Sequence, residues 1–359
     1  MKSIALRLDW GILGTVFILI SAGLLVFASS STELFIRQLS WLSVALLLML
    51  GLPYVNLRAL FNYRWFILGI YFFVLLLLVI TYFVAPTIHG TRSWIILGPV
   101  QIQASEFMKA ALIILFSSFF ATRHVAIARL GIIASSFLYF IIPAVIVLLQ
   151  PDLGSSLVIL GIWLGYLLIS GIPKKYILVG LVIFVIIGIV AWSFLFADYQ
   201  RDRITALFKP STDPLGVNYS VAQSKIAIGS AGLFGKGFGG GTQVQLGFLP
   251  AAQTDFVFAA FVEEWGLIGG AVLISAFVLL IYQLLRKARE AGSNFPRFIA
   301  LGTVIVLLLH FIVNLGSTLG LLPVIGIGLP FVSYGGSNLL TVSALIGIIQ
   351  GITEKRVGY

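Results

Sequence analysis

Residues 10–27 read WGILGTVFILISAGLLVF. They follow a short segment holding Lys2 and Arg7, and they carry no charge. Such a start is either a cleaved signal peptide, with Ala28-Ser29-Ser30 as the cleavage site, or a retained membrane span. A signal core runs to about 7–15 residues. This run is longer, so a retained first span is expected. The rest of the chain has the same character. Of its 359 residues 60% are hydrophobic and 9% charged, and the mean hydropathy is +1.12. A soluble domain averages about 25% charged residues. No soluble core could bury this much apolar surface, so lipid is the solvent for most of the chain.

Apolar runs near the length needed to cross a bilayer, about 20 residues, recur ten times. They fall at 9–28, 38–57, 65–85, 104–121, 131–149, 153–170, 176–196, 256–285, 298–317 and 333–352. The expected fold is an all-α integral membrane bundle of ten helices, forming one unit over 1–359. Ten spans put both termini on one side. The short connections on that side hold fourteen Lys and Arg, and those on the other side hold only Arg37 and Arg92. Positive charge stays on the cytoplasmic side, so both termini are expected there, in a multi-pass membrane protein. The net charge of +10 is spread between apolar runs, so no nucleic acid is expected as partner. The absence of cysteine rules out disulfides and thiolate chemistry.

One long extracytoplasmic loop, about 197–255, separates the seventh and eighth runs. It contains apolar and aromatic residues throughout, so partial order is expected. Within it, Ala227–Gln243 reads AIGSAGLFGKGFGGGTQ. Gly235, Gly237 and Gly240 match G-x-G-x-x-G formally, but no strand and helix of a dinucleotide fold flank them. Two readings remain open. The segment is a turn region, or its backbone N–H groups and Lys236 approach a pyrophosphate.

Nine of the twelve carboxylates lie on the outer side or within the runs. Glu106 and Lys109 share a helix face at a spacing of three, as an interior ion pair or with Lys109 toward an anionic ligand. Asp152, in QPDLGSS, is a helix N-cap or a site residue. Glu263 and Glu264 read as structural, one of them paired or protonated. Asp255 stands where the long loop meets the eighth span. There it caps the helix, with Thr254 competing for that role, or it faces water and a lipid headgroup.

Six segments together carry a resemblance: GTRSWI at 90–95, QASEFMK at 103–109, QPDLGSS at 150–156, the AIGS…GKG…GTQ stretch, LPAAQTDF at 249–256 with EEWG after it, and GLLPVIGIGLPFVSYGGSN at 320–338. Through them the chain resembles the SEDS family (shape, elongation, division and sporulation) over nearly its whole length, and within it the RodA-like peptidoglycan glycosyltransferases. The sequence departs from the family at four positions. Ala104 replaces a Pro, Ala251 a Glu, Gln253 a His and Ile325 a Thr. Asp255 is the acid of the TDF motif that survives.

The resemblance implies an enzyme of the bacterial cytoplasmic membrane. It would polymerise Lipid II, an undecaprenyl-pyrophosphate disaccharide peptide, on the outer face for elongation and rod shape. Membrane lipid and a class B penicillin-binding protein would be its partners. The acceptor 4-hydroxyl needs a base, for which Asp255 is the candidate. The diphosphate leaving group needs cations, and Arg92, Lys109, Arg201, Arg203, Lys225 and Lys236 are candidates. Glu106, Asp152 and Thr254 complete the expected substrate-binding set. No motif demands a cofactor, although a divalent cation, Mg or Mn, suits a diphosphate. A flippase for the same precursor and a non-catalytic scaffold are the competing expectations.

Overall fold

The computed structural model describes residues 8–88, 90–98, 100–123, 127, 129–190, 192, 193, 201, 205 and 218–353. In chain order it has α1 (Trp10–Ser30), α2 (Thr32–Gly51), a 3-10 turn (Leu52–Tyr54), α3 (Leu57–Phe61) and α4 (Arg64–Val84). A hairpin of β1 (Trp94–Leu97) and β2 (Val100–Gln103) follows, paired antiparallel from Trp94↔Gln103 to Leu97↔Val100. Next come α5 (Ala104–Arg123), α6 (Leu130–Leu149), α7 (Leu153–Ile169) and α8 (Lys174–Val190). The last five helices are α9 (Tyr219–Ser230), α10 (Thr242–Gln245), α11 (Val257–Glu290), α12 (Asn294–Thr318) and α13 (Gly336–Thr353).

Eight helices among the described residues are long and apolar enough to cross a membrane: α1, α2 with its 3-10 turn, α4, α5, α6, α11, α12 and α13. Each overlaps an expected span. The sixth and seventh expected spans form shorter helices, α7 and α8, of 17 residues each. The second span was expected at 38–57 but runs from Thr32 to Gly51. Ser31 caps its start through Leu34 N–H, and Pro53 in the 3-10 turn stops its end.

The core runs through α12, which packs against α5, α7, α11 and α13. The chain between α12 and α13, residues 319–335, is non-helical. Gly23 of α1 and Gly154 of α7 let this segment in. A β-carbon at either position would overlap the main-chain oxygen of Val332 or of Ile325. Helix α11 is interrupted at Gly266, whose φ of 72° and ψ of −176° only glycine adopts readily. Before the break, every residue from Val257 to Glu264 is buried. After it, Leu267, Ile268, Val272, Val278 and Leu279 are exposed along one side, as expected of a lipid-facing helix.

Candidate functional site

Glu106 and Lys109 of α5 point inward. Lys109 Nζ lies 2.6 Å from Glu106 Oε1, and both side chains are buried. Asn338 Nδ2, in the first turn of α13, donates to Glu106 Oε2 at 2.9 Å. His310 Nε2 of α12 stands 3.3 Å from Lys109 Nζ, and its Nδ1 lies 2.9 Å from the Gly328 carbonyl oxygen. A carbonyl can only accept, so Nδ1 carries the proton and Nε2 accepts from the ammonium. Both carboxylate oxygens and two of the three ammonium N–H bonds are thereby engaged, which helps to hold charge in a low-dielectric interior.

Asp152 caps α7, accepting Ser155 N–H at 2.9 Å. Its other oxygen accepts from Gln103 Nε2 at 3.0 Å, and Gln103 N–H donates to Ser337 Oγ at 2.9 Å. Ser337 adjoins Asn338, so Asp152 and the Glu106–Lys109 pair belong to one polar seam.

The seam continues to Asp255. One turn beyond His310 on α12, Asn314 is fully buried. Its Nδ2 donates at 2.9 Å to the Ile327 and Asp255 main-chain oxygens. The turn 251–256 is tightly wound. Ala251 has a φ of 52°, and its oxygen accepts from Thr254 N–H at 3.0 Å and Phe256 N–H at 3.2 Å. Ser333 Oγ donates to the Thr254 oxygen at 2.6 Å, and Tyr334 N–H to the Gln253 oxygen at 2.8 Å. Phe331, beside these groups in sequence, is also left-handed, with a φ of 68°. Such non-glycine strain gathers where surrounding structure over-determines the backbone. Asp255 itself is half-buried. The capping expectation for Asp255 and Thr254 is corrected: α11 starts after Phe256, and no side chain caps it.

The glycine-rich stretch wraps the break in α11. Gly235 and Gly266 approach so closely that a β-carbon on either would overlap main-chain atoms of the other strand. Lys236 N–H donates to the Glu263 oxygen and Gly237 N–H to the Glu264 oxygen, while Leu267 and Ile268 N–H donate back to Gly232 and Leu233. Helix hydrogen bonds lost at the break are thus replaced by the loop. Lys236 Nζ pairs with Glu263 Oε1 at 2.7 Å, and that oxygen also accepts from Gln243 N–H at 3.0 Å. Gly239 N–H donates to Glu264 Oε1 at 3.2 Å. Both glutamates are thus bonded to the loop, and Lys236, expected to face pyrophosphate, is engaged with one of them.

Three of the remaining expected cations are among the described residues. Arg92 is exposed, with Nε donating to Thr87 Oγ1 at 3.1 Å. Lys225 is exposed on α9 and lies over Gly320. Arg201 is half-buried, with Nη2 donating to the Ser193 oxygen at 3.4 Å. Arg203 lies outside the described residues. An apolar groove of about 270 Å³ lies between α1 and α11, lined among others by Phe17, Leu25, Phe261 and Leu273. Among the described residues no group of three or more His, Cys, Asp or Glu side chains could hold a metal ion.

Sequence reasoning passed over Gln103, His310, Asn314, Ser333 and Asn338. A signal existed for two of them, since His310 and Asn314 are large polar residues four apart in a mostly apolar span. The others carry no such mark.

Comparison with known proteins agrees along the whole chain. A family model described as cell cycle protein, FtsW/RodA/SpoVE, matches residues 2–357. The peptidoglycan glycosyltransferase MrdB of Escherichia coli K12 is 36% identical over 341 residues, covering 94% of this chain and 91% of that protein. Stage V sporulation protein E of Bacillus subtilis is 35% identical over 295 residues, covering 79% and 76%. Among solved structures, a chain from a peptidoglycan synthase complex that coordinates polymerization and crosslinking superposes with a TM-score of 0.83. It shows 32% identity, with 97% of this chain and 98% of that chain covered. The rod shape determining protein RodA of Thermus thermophilus gives 0.73 at 29% identity, with 98% of each chain covered.

Proposed function

This chain belongs to the FtsW/RodA/SpoVE family of cell cycle proteins, and from that membership we propose that it is a peptidoglycan glycosyltransferase. It polymerises Lipid II into glycan strands at the outer face of the bacterial cytoplasmic membrane, for elongation and rod shape. The observation that carries this reading is the match to MrdB along 94% of the chain. The site chemistry supports it. Asp255 is half-buried at the head of α11, in a turn held from several sides.

In the proposed step the acceptor 4-hydroxyl oxygen attacks the donor's anomeric carbon. The bond from that carbon to the diphosphate oxygen breaks with inversion, and the diphosphate leaves with the electron pair. Asp255 takes the hydroxyl proton. Arg92, Lys225, Arg201 and Arg203 are the candidates for steadying the leaving diphosphate, because fixed cations stabilise developing charge. Lys109 and Lys236 already face carboxylates. The groove between α1 and α11 suits an isoprenoid tail. Magnesium or manganese, if used, would be held largely by substrate phosphates, and a chelator added to the assay tests for it.

The topology we propose is ten spans with both termini cytoplasmic, counting α7 and α8 as crossings. At 17 residues they reach about 26 Å. The chain has no cysteine, so single cysteines placed in each connection report its side by labelling. A class B penicillin-binding protein is the proposed crosslinking partner.

The test is gel-resolved polymerisation of Lipid II by the purified chain, with and without that partner. A positioned base is worth about 10²–10⁴-fold. Asp255→Ala should lose at least about a hundredfold while remaining folded. Precursor crossing a vesicle membrane with no polymer formed would instead mark a flippase.

A further inference from the structure

We propose that Asn314 is a positioning residue for Asp255, acting through the main chain to aim its carboxylate. This rests on the reading of Asp255 as the base. Three consecutive carbonyls of the turn are each gripped from outside it: Gln253 by Tyr334 N–H, Thr254 by Ser333 Oγ and Asp255 by Asn314 Nδ2. The Asn314 grip ties the turn to α12, the helix whose His310 meets Lys109.

The amide orientation is fixed by chemistry. Both partners of Nδ2, the oxygens of Asp255 and Ile327, are carbonyls and need donors. Only the amide nitrogen has two N–H bonds to give. That leaves Asn314 Oδ1 buried with no hydrogen-bond partner among the described residues. Stranding a buried oxygen is costly, although an apolar side chain would leave the two carbonyls without this donor instead. What Asn314 provides in return is one rigid bridge, set on a core helix, between the Asp255 turn and the segment around Ile327. A base carboxylate carried on a turn needs such support, because a misplacement of about 1 Å can cost about a hundredfold in rate.

The experiment uses the full chain and Lipid II, with turnover counted per folded molecule. Asn314→Leu should lower kcat about a hundredfold with KM within about threefold, and should move the acid limb of the pH–rate profile. On an Asp255→Asn background it should cost no more than about twofold further, because both changes remove one function. Thr303→Val is equally buried in the same helix, and its hydroxyl bonds only the Ile299 oxygen among its described partners. It should leave kcat and the acid limb in place. If Asn314→Leu does not fold, Asn314→Ser, which keeps one donor, should show the same direction and the same non-additivity. A fully active Asn314→Leu beside an inactive Asp255→Asn would overturn the inference alone, and so would losses that multiply in the double variant. Wild-type turnover by Asp255→Asn would overturn the base reading together with it.

Discussion

Lys109 and Glu106 form a salt bridge of 2.6 Å inside the bundle, with no more than a tenth of either side chain exposed. Removing one partner strands the other charge, which costs about 3–5 kcal/mol. Lys109→Met should therefore lower thermal stability sharply in detergent. Lys109→Met with Glu106→Gln should recover most of the loss, since no uncompensated charge remains. Equal melting of the single and double variants would show that pairing is not what holds these helices.

The break in α11 makes a second prediction. Gly266 has a φ of 72° and abuts the main chain at Leu233 and Gly235. Gly266→Ala adds both backbone strain and overlap, and strain alone is worth about 1–3 kcal/mol. Gly14 in α1 has open space around it and ordinary helix geometry. Gly14→Ala should be neutral or gain about 0.5–1 kcal/mol. Thermal unfolding followed by near-UV circular dichroism compares the two directly.

Lys236 separates a structural role from a substrate role. Its Nζ is 2.7 Å from the fully buried carboxylate of Glu263 and 2.9 Å from Thr242 Oγ1. We expect Lys236→Met to destabilise the fold by about 3 kcal/mol through the stranded carboxylate. The KM for Lipid II should stay within about twofold per folded molecule. A KM raised tenfold with stability intact would return Lys236 to the diphosphate.

Asp9 gives a pH signature at the other end of α1. Burial works against its ionisation, but the hydrogen bond and charge of Lys287, a bond from Ile12 N–H and the charge of Arg286 outweigh it. Together they hold its carboxyl below the ordinary value of 3.8. A lowered folded pKa contributes stability above the ordinary value, and that stability is lost as pH falls through the folded one. The site is partly open to water, so the contribution is at most about 1 kcal/mol. Asp9→Asn should thus melt slightly lower than wild type at pH 7, and the two should converge once the pH has fallen through the lowered folded value. A difference that persists in acid would exclude this origin.

The sequence alone determined that lipid is the solvent, roughly where the eight long apolar helices lie and which junction carries Asp255. Hydropathy, charge and short spacings are local quantities, readable without knowing how helices pack. The Glu106–Lys109 pair was legible for that reason, being three residues apart on one helix. Only the tertiary structure decided what each remaining polar group touches. Lys236 meets Glu263 across 27 residues, Asn314 reaches Asp255 across 59, and His310 reaches Lys109 across 201. Such contacts depend on which face each helix turns inward and at what depth. Many alternative packings satisfy the same hydropathy, so the chain's local pattern does not contain that choice.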